Sequence, residues 1–360
     1  MAAKKVHIVY DVSYKEFQNN KIFDCEYASK FPGAITWAIF AERIRKLEWD
    51  ISTSDIFLKE KEYSKDANFF CISEMISPYT FKLFEIGIKP LILICGESPN
   101  VAWRFYHKLD KYSSLYDHVF LFRGVQQKVN KSTKFHTLYW PNLHKEIVYN
   151  RVWKERQFAV MVASNKHRFS GAGKFGWLKR SMRKIFWIWL SAADPIFKFE
   201  DLYKIRLNAI MYFSNIEGFR LFGTGWDEKR GLSQKQWMNI KKLNPVRVED
   251  KLETMSHFKF AFCFENCSFP GYITEKIFDC FFAGCIPIYC GAPDIEEFIP
   301  KETFIHYKDY NTFNELSDYL INLSESEAKC YLDAANEFIR SKPFEKFTVN
   351  YFVNKVLTIL

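Results

Sequence analysis

The sequence lacks the features of a disulfide-stabilised protein. Its nine cysteines are an odd number for a disulfide framework. Five of them lie within apolar runs of strand or helix length, where a thiol behaves as a small hydrophobic side chain. A reducing compartment is therefore expected.

Long apolar runs are also missing. No uninterrupted stretch approaches the ~20 residues that a membrane-spanning helix needs. The first residues, MAAKKVHIVYD, contain neither the apolar core nor the cleavage site of a secretory signal. We expect a cytoplasmic chain that is not secreted and does not cross a bilayer.

Carboxylates in metal-binding patterns are scarce as well. No Asp-x-Asp occurs, although this pair is a common clamp for a metal ion bound to a diphosphate. The pair Cys263 and Cys267 has a spacing that zinc tolerates, but no second Cys or His pair follows at a usual interval. We therefore expect no metal and no other cofactor. Any bound diphosphate would be neutralised by Arg, Lys and helix N-termini.

Positive charge, in contrast, is in excess. The 360 residues carry a net charge of +9, which indicates an anionic partner such as a nucleotide, a phosphorylated sugar, an acidic membrane or a nucleic acid. No helix-turn-helix, zinc-finger or RNA-recognition pattern is present, so no nucleic-acid partner is expected. The 48% of hydrophobic residues is typical of a globular protein.

Short apolar runs separated by segments of helical spacing predict an α/β fold with parallel sheets. The predicted strands are 6–10, 69–73, 90–95, 118–122, 158–164, 219–223, 258–264, 285–290 and 303–307. They fall into two groups. We therefore predict a first lobe at 1–152, a second lobe at 153–340 and a C-terminal helix at 341–360 that packs back across the lobes. The ligand site is expected in a cleft between the lobes, at the carboxyl ends of strands.

The stretch GYITEKIFDCFFAGCIPIYCG (271–291) places two charged residues at the head of an apolar segment. Thr274 is a good N-cap, and the helix should begin at Glu275 and end near Gly284. Lys276 then adds a full charge to the positive end of the helix dipole, which predicts an anion site. Alternatively, Glu275 only complements the dipole and Lys276 extends into solvent.

Two further charged residues lie where apolar residues would be expected. Glu97 follows the apolar run LILIC by two residues, and Gly96 and Pro99 predict a tight turn around it. A carboxylate at this position can act as a general base, or simply cap the amides of the turn. Arg206 lies on the apolar stripe of a helical segment, so it needs an anionic partner, either a diphosphate or an internal carboxylate.

The region from Lys166 to Lys184 contains seven Lys or Arg residues and no acid. Within it, residues 177–190 place Leu178, Met182, Ile185 and Trp189 on one helical face, with basic residues on the other. This pattern is typical of a helix lying on an anionic membrane, or of a surface helix that packs its apolar face on its own domain. GAGKFG (171–176) matches the residue pattern of the dinucleotide-binding motif, but no predicted strand immediately precedes it, as that motif requires.

Together these residues resemble the α-1,3/4-fucosyltransferase family (glycosyltransferase family 10) of the bacterial type. FCFENCSFPGYITEKIFDCFFAGCIPIYCGAP (262–293) is similar to the family signature, roughly F-x-x-x-E-N, Y-x-T-E-K, G-x-x-P-I and G-x-P. LILICGESPN, VASN, IRLNAIMYF and FGTGW resemble four further family segments. The resemblance extends from about residue 90 to about residue 300.

The resemblance implies two Rossmann-like lobes facing across a cleft, the GT-B glycosyltransferase architecture. It implies that Glu97 is the base for the acceptor hydroxyl and that Arg206 and Lys276 bind the diphosphate of GDP-fucose. It assigns the nucleoside and fucose contacts to Tyr272 and Glu275. The other residues that match family segments, and are therefore candidates for the same donor pocket, are Asn266, Ser164, Asn165, Glu265 and Thr274.

About forty residues separate Asn165 from Arg206, so the basic segment looks like an insertion, and Arg168, Lys174 and Arg180 are alternatives to Arg206. The leading hypothesis is an inverting, metal-independent fucosyltransferase that transfers fucose from GDP-fucose. The acceptor would be the GlcNAc of a Galβ1-4GlcNAc-like unit, in α-1,3 or α-1,4 linkage, during assembly of a surface glycan such as lipopolysaccharide. The alternatives are a GT-B transferase for another nucleotide sugar and a non-catalytic basic protein that binds membrane or nucleic acid.

Overall fold

The computed structural model describes residues 5–31, 33–60, 67–143, 146–149, 151–165, 176–229 and 231–360. Within 176–193 it describes the side chains of 182 and 185–193. The chain forms two compact units: unit 1 is Met1–Leu143 with Lys346–Leu360, and unit 2 is His144–Glu345. The boundary between the two units falls after residue 143, whereas the sequence predicted it after residue 152. The C-terminal segment that joins unit 1 starts at 346 instead of 341.

The strands alternate with helices along most of the chain. In chain order the strands are β1 (Val6–Asp11), β2 (Asp50–Thr53), β3 (Asn68–Glu74), β4 (Lys89–Ile94), β5 (His118–Leu121), β6 (Lys134–Thr137), β7 (Gln157–Val162), β8 (Glu200–Asp201), β9 (Phe219–Phe222), β10 (Phe258–Phe264), β11 (Cys267–Ser268), β12 (Ile286–Cys290) and β13 (Ile305–His306). All nine predicted strands are present. Those at β2, β6, β8 and β11 were not predicted.

The helices occupy the segments between the strands and the C-terminal region. The α-helices are α1 (Cys25–Ala28), α2 (Ile35–Lys46), α3 (Ser54–Phe57), α4 (Thr80–Glu85), α5 (Trp103–His107), α6 (Leu109–Ser113), α7 (Gly176–Ala193), α8 (Tyr203–Phe213), α9 (Gln234–Leu243), α10 (Lys251–Ser256), α11 (Glu275–Phe282), α12 (Phe313–Asn322), α13 (Glu325–Arg340) and α14 (Val349–Leu357). Short 3-10 helices lie at Lys15–Phe17, Lys21–Phe23, Arg123–Lys128, Trp153–Glu155, Pro195–Phe197, Ile295–Glu297, Lys301–Thr303, Tyr307–Asp309 and Lys342–Phe347.

Unit 1 contains a parallel sheet with the strand order β2-β1-β3-β4-β5-β6 among its described residues. Its central strands are buried and apolar, as parallel sheets covered by helices require. The last residue of β3, Glu74, is in register with the last residue of β4, Ile94. The carboxyl ends of these two neighbouring strands therefore meet at one edge of the sheet.

Unit 2 contains a second parallel sheet, with the order β13-β12-β10-β7-β9, and a short antiparallel pair of β8 and β11. Every residue of β10 except Lys259 is buried. The core around this strand includes Phe213 of α8, whose ring centroid lies 4.7 Å from that of Phe262. The predicted α/β class with parallel sheets is thereby confirmed for both units.

The C-terminal helix α14 packs within unit 1. Arg43 of α2 donates to the side-chain oxygens of Asn350 at 2.6 Å and Asn354 at 2.5 Å. The ring of Phe352 lies 5.7 Å from that of Trp37, also on α2. Two hydrogen bonds between neighbouring backbone segments, from Asn142 N to Phe347 O and from Val349 N to Asn142 O, fix the start of the helix.

All nine cysteines are free thiols, and seven of them are buried. This agrees with the prediction that the cysteines are not a disulfide framework. Among the helices that the structure describes, none combines the length and the apolar character needed to cross a bilayer.

Candidate active site

The head of helix α11 carries an ion-pair cluster. The helix begins at Glu275, as predicted, and Thr274 occupies the N-cap position. Directly after β10, the fully buried Glu265 accepts hydrogen bonds from the Thr274 amide and hydroxyl at 2.8 Å and from Lys276 Nζ at 3.0 Å. The Thr274 hydroxyl therefore binds Glu265 and makes no capping hydrogen bond. Thr274 thus occupies the predicted N-cap position, although its hydroxyl donates to Glu265 instead of capping a helix amide.

Lys276 is directed towards protein carboxylates. Its side chain is 21% exposed, and its ammonium lies 3.0 Å from Glu265 Oε2 and 3.6 Å from Glu275 Oε1. Burial alone would lower the pKa of Lys276, but the charges of Glu265 and then Glu275 outweigh burial and raise that pKa. The alternative in which Lys276 extends into solvent is therefore wrong. Lys276 is charged, fixed in position and partly accessible.

Arg206 lies in the same cluster. Its side chain is buried, as the helical stripe predicted, and Nη2 donates to the carbonyl oxygens of Phe264 and Glu265 at 2.9 Å each. A longer contact of 3.4 Å joins Nη2 to Asn266 Oδ1. Among the described residues, no acceptor lies within hydrogen-bond distance of the buried Nε. The guanidinium thus has donor capacity left for a ligand.

Asn266 and Tyr272 extend the cluster. The Asn266 side-chain amide donates to the Tyr272 hydroxyl at 3.3 Å, and Tyr272 is buried. Tyr272 and Glu265 both favour the charged form of Arg206, although burial is the larger effect and lowers the pKa of Arg206. Burial would likewise raise the pKa of Glu275, but Lys276 and Lys251 outweigh it and lower that pKa. Lys276 and Lys251 therefore favour the ionised form of Glu275.

Ser164 and Asn165 follow β7 and connect to the same region through α8. Tyr203, one helical turn before Arg206, donates its hydroxyl to Asn165 Oδ1 at 2.6 Å, and Ser164 Oγ lies 3.0 Å from Thr224 Oγ1. Gly223 has a φ of +130°, and a Cβ there would lie 2.1 Å from the Ala163 carbonyl oxygen. Only glycine allows the two loops to approach so closely.

The basic segment 166–184, which contains the alternatives to Arg206, is only partly described. Arg168, Lys174 and most of GAGKFG lie outside the described residues, and so does the side chain of Arg180. The helix α7 that follows begins at Gly176, as its helical spacing predicted.

Glu97 lies in unit 1, three residues beyond the end of β4. Tyr14 donates its hydroxyl to Glu97 Oε1 at 3.0 Å, and Tyr106 donates to the Glu97 carbonyl oxygen at 2.8 Å. Burial, and then the charge of Glu97, raise the pKa of Tyr14, so this hydroxyl remains a donor. The carboxylate is thus oriented by a neutral phenol from a distant part of the sequence.

A second carboxylate beside Glu97 was not predicted from the sequence. Glu74 ends β3 and accepts a hydrogen bond at 3.4 Å from the hydroxyl of Tyr10. Burial, and then the charge of Glu97, raise the pKa of Glu74 to about 7. The sequence contained a signal for this carboxylate, because Glu74 follows an apolar run just as Glu97 does.

No described group of three or more His, Cys, Asp or Glu side chains is placed to bind a metal ion. The polar groups described above are carboxylates, cationic donors and tyrosine hydroxyls. A carboxylate can accept a proton, and buried cationic donors can stabilise a diphosphate.

Part of the chain is similar to a known protein family. Residues 229–334 match the model of the glycosyltransferase family 10 (fucosyltransferase) C-terminal region. Over 90 residues the chain is 39% identical to the α-(1,3)-fucosyltransferase FucT of Helicobacter pylori, which covers 25% of this chain and 19% of that protein. Over 93 residues it is 40% identical to human 4-galactosyl-N-acetylglucosaminide 3-α-L-fucosyltransferase 9, covering 25% of this chain and 26% of that protein. The matches thus span about a fifth to a quarter of these relatives.

The likeness in fold extends further than the likeness in sequence. A crystal structure of an α1,3-fucosyltransferase with GDP superimposes with a TM-score of 0.53 and 16% identity, covering 100% of this chain and 92% of that one. At this identity the likeness concerns the fold alone, and it confirms the predicted GT-B fold. The family resemblance of the sequence motifs is likewise confirmed, because residues 229–334 match the C-terminal region of glycosyltransferase family 10, the fucosyltransferases.

Proposed function

We propose that this protein is an inverting fucosyltransferase that uses GDP-fucose. The observation that carries the proposal is the cluster of Arg206, Glu265 and Lys276 within and beside the family 10 segment. The acceptor is the GlcNAc of a Galβ1-4GlcNAc-like unit, joined in α-1,3 or α-1,4 linkage. This choice is supported by the human relative, whose name specifies a 4-galactosyl-N-acetylglucosaminide.

The donor-binding chemistry is supported by the head of α11 and by Arg206. A leaving diphosphate gains negative charge as the bond to fucose breaks, and preorganised cationic donors stabilise that charge. Lys276 and the unpartnered Nε of Arg206 provide such donors. Tyr272, Asn266 and Glu275 would contact the nucleoside and the sugar, with Ser164 and Asn165 supporting the same pocket. No metal is required for this neutralisation.

The acceptor chemistry is assigned to Glu97. Its carboxylate takes the proton of the acceptor hydroxyl while the acceptor oxygen forms a bond to the anomeric carbon of fucose. The bond from that carbon to the GDP oxygen breaks, and its electron pair leaves with GDP. The hydrogen bond from Tyr14 supports this role because it fixes one carboxylate oxygen and leaves the other to accept a proton.

A contact with an anionic membrane surface is also part of the proposal, and it rests on helix α7. Met182, Ile185, Ile188 and Trp189 are each more than half exposed on this helix, so the described part of the apolar stripe faces solvent. The opposite side is anchored, because Leu190 is buried and the Trp187 ring lies 5.8 Å from that of Phe197. The helix sequence contains four Lys or Arg and no acid, which favours anionic lipid as the occupant. The protein would then act on the cytoplasmic face of the membrane.

The donor assignment is tested by calorimetric titration of the full chain with GDP-fucose, GDP-mannose and UDP-galactose in the presence of EDTA. We expect GDP-fucose to bind, and to be hydrolysed slowly when no acceptor is present. Preferential binding of UDP-galactose or GDP-mannose would instead support the transferase for another nucleotide sugar. A need for added divalent metal would contradict the metal-independent mechanism.

A further inference from the structure

A cavity of about 270 Å³ lies in unit 1, between the last strand of the sheet and the C-terminal segment. Strand β6 contributes His136 and Thr137 to its wall, and the C-terminal segment contributes Lys346, Tyr351 and Lys355. The described residues that line the cavity belong neither to the turn around the candidate base nor to the cluster at the head of α11. The cavity is therefore separate from both parts of the proposed active site.

The inner wall of the cavity is a fixed aromatic stack. His136 is in register with Phe120 of the neighbouring strand β5, and the two rings stack with their centroids 4.6 Å apart and an interplanar angle of 15°. The Phe120 ring lies 5.7 Å from that of Phe352 on α14. A hydrogen bond of 2.9 Å between His118 Nδ1 and His136 Nε2 holds the imidazole in place. The wall is thus formed before any ligand arrives, as in most small-molecule sites.

Two lysines border the cavity. The Lys346 ammonium lies 5.0 Å from the ring centroid of Tyr139 and 5.5 Å from that of Phe347, and these cation–π contacts restrict its position. Lys355 follows Tyr351 by one turn of α14, so both side chains lie on one face of the helix. Among the described residues that line the cavity, none is Asp or Glu. Two positive charges therefore meet without a carboxylate in the cavity wall.

The electrostatic environment favours an anion. Burial, and then the charges of His118, Lys355 and Lys134, lower the pKa of His136 to about 4. The imidazole is thus neutral near pH 7, and the groups that act on it are all basic. Burial also lowers the pKa of Lys346. A bound negative charge would offset this effect, because it favours the charged form of the lysine.

The size and the lining of the cavity indicate a single sugar ring. At about 30 Å³ per water molecule, the cavity has room for roughly nine waters. This is slightly below the ~300–1,000 Å³ that is usual for larger ligands, so a complete nucleotide sugar does not fit. The lining residues Thr137, Tyr139 and Tyr351 carry hydroxyl groups, which can form hydrogen bonds with the hydroxyls of a sugar. The aromatic rings provide flat apolar surface for the carbon face of the ring.

We propose that this cavity is a binding site for an anionic sugar, a single ring that carries a phosphate or a carboxylate. The anionic group lies between Lys346 and Lys355, and the ring packs against the aromatic wall around His136. The ligand contacts both β6 and the C-terminal segment, so it stabilises unit 1 when it binds. The inference goes beyond the proposed function and does not depend on it, because no donor-binding or base residue takes part.

The first test is calorimetric titration of the full chain with glucose 6-phosphate, glucuronate, glucose and inorganic phosphate. We expect at least one of the two anionic sugars to bind. Glucose and inorganic phosphate should each bind at least about tenfold more weakly, because each lacks one half of the interaction. Binding of only one anionic sugar would support the site and would identify its anionic group. Saturation with GDP should leave the Kd of the anionic sugar unchanged.

Four outcomes of this titration would overturn the inference. Neither anionic sugar binds at millimolar concentration, or glucose binds as tightly as they do, which removes the role of the lysines. Inorganic phosphate binds as tightly as glucose 6-phosphate, which removes the role of the aromatic wall. GDP displaces the anionic sugar, which shows that the sugar binds in the donor pocket.

The second test locates the site. Lys346→Gln and Lys355→Gln should each weaken binding of the anionic sugar about tenfold or more. Lys342→Gln is the matched control, because Lys342 is exposed in the same 3-10 helix as Lys346 but does not line the cavity. It should bind the sugar like the wild type. Lys355 is exposed, so its variant should keep the wild-type melting temperature without ligand. If both cavity variants bind as tightly as the control, the sugar binds elsewhere and the inference is wrong.

Discussion

At the residue scale, the buried carboxylate of Glu265 organises the head of α11. It accepts hydrogen bonds from Thr274 and Lys276, while its own backbone carbonyl accepts from Arg206. A buried carboxylate is costly unless it is paired, and Lys276 supplies the paired charge. The Lys276 side chain is partly exposed, so it can contact a ligand while it remains paired with Glu265.

Lys276→Ala should weaken binding of GDP-fucose and slow turnover. Loss of a hydrogen bond to a charged group costs about 1.5–3 kcal/mol, which corresponds to a roughly ten- to hundredfold weaker Kd. The variant should also melt at a lower temperature, because Glu265 loses its paired charge. Calorimetric titration with GDP-fucose and a thermal melt measure the two effects.

Lys251→Ala is the matched control. Lys251 of α10 pairs at 2.6 Å with Asp279 of α11, the helix that also contains Lys276. Removal of Lys251 therefore also breaks a partly buried ion pair. We expect this control to lose stability but to keep most of its affinity for GDP-fucose. If Lys276→Ala binds the donor as tightly as the wild type, Lys276 does not contact the diphosphate.

The parts of the site that follow from local pattern could be predicted, and those that depend on long-range contacts could not. Lys276 was singled out because it lies at the head of an apolar helix, and Glu97 because it follows an apolar strand. The hydrogen bond between Tyr14 and Glu97 joins residues 83 positions apart, so no spacing rule indicates it. The pairing of Glu265 with Lys276 likewise depends on how β10 and α11 meet.

At the element scale, helix α7 has an exposed apolar surface. Ile185 and Ile188 are 67% and 70% exposed, although their side chains would gain from burial. The helix is joined to unit 2 on its other side through Trp187, Leu190 and the segment around Phe197. The exposed stripe is therefore held in a fixed orientation, as a surface that contacts lipid would be.

Replacing both isoleucines by serine should release the protein from anionic vesicles. The wild type should sediment with vesicles of phosphatidylglycerol, less with phosphatidylcholine, and less at high salt. Ile185→Ser with Ile188→Ser should lose about 2–4 kcal/mol of apolar contribution and remain in the supernatant. Ile321→Ser, at a 60% exposed isoleucine of α12, is the control and should sediment like the wild type. Absence of vesicle binding by the wild type, or a lipid-free dimer that the double variant dissociates, would contradict a membrane contact.

Two of the four strands that sequence patterns failed to predict, β2 and β6, share a physical reason. They lie at the two edges of the unit 1 sheet, and each has one hydrogen-bonded neighbour among the described strands. Their sequences, DIST and KFHT, are short and half polar, since an edge strand is not enclosed on every side. The central strands, which must be buried on both faces, carried continuous apolar runs and were all predicted.

At the scale of the whole molecule, the chain forms two α/β units and returns to the first of them at its C-terminus. The predicted lobe boundary at residue 152 lies near the observed end of the first unit at Leu143, but the return depends on backbone pairing between Asn142 and residues 347–349. Such a contact between distant segments leaves no periodic signal in the sequence. The family segment at 229–334 lies wholly within unit 2, the unit that contains Arg206 and Lys276.

We propose a division of labour between the units, in which unit 1 supplies the base and unit 2 binds the donor. A variant of the base should therefore lose transfer and keep donor binding. Glu85→Gln, which changes an exposed carboxylate at the end of α4, serves as the control and should behave like the wild type in both assays.

The most direct test measures fucose transfer to N-acetyllactosamine and calorimetric binding of GDP in the same preparations of wild type and Glu97→Gln. The account predicts that Glu97→Gln loses roughly 10²–10⁴-fold in transfer rate and binds GDP with an unchanged Kd. Wild-type transfer by Glu97→Gln, or a parallel loss of GDP binding, would contradict it.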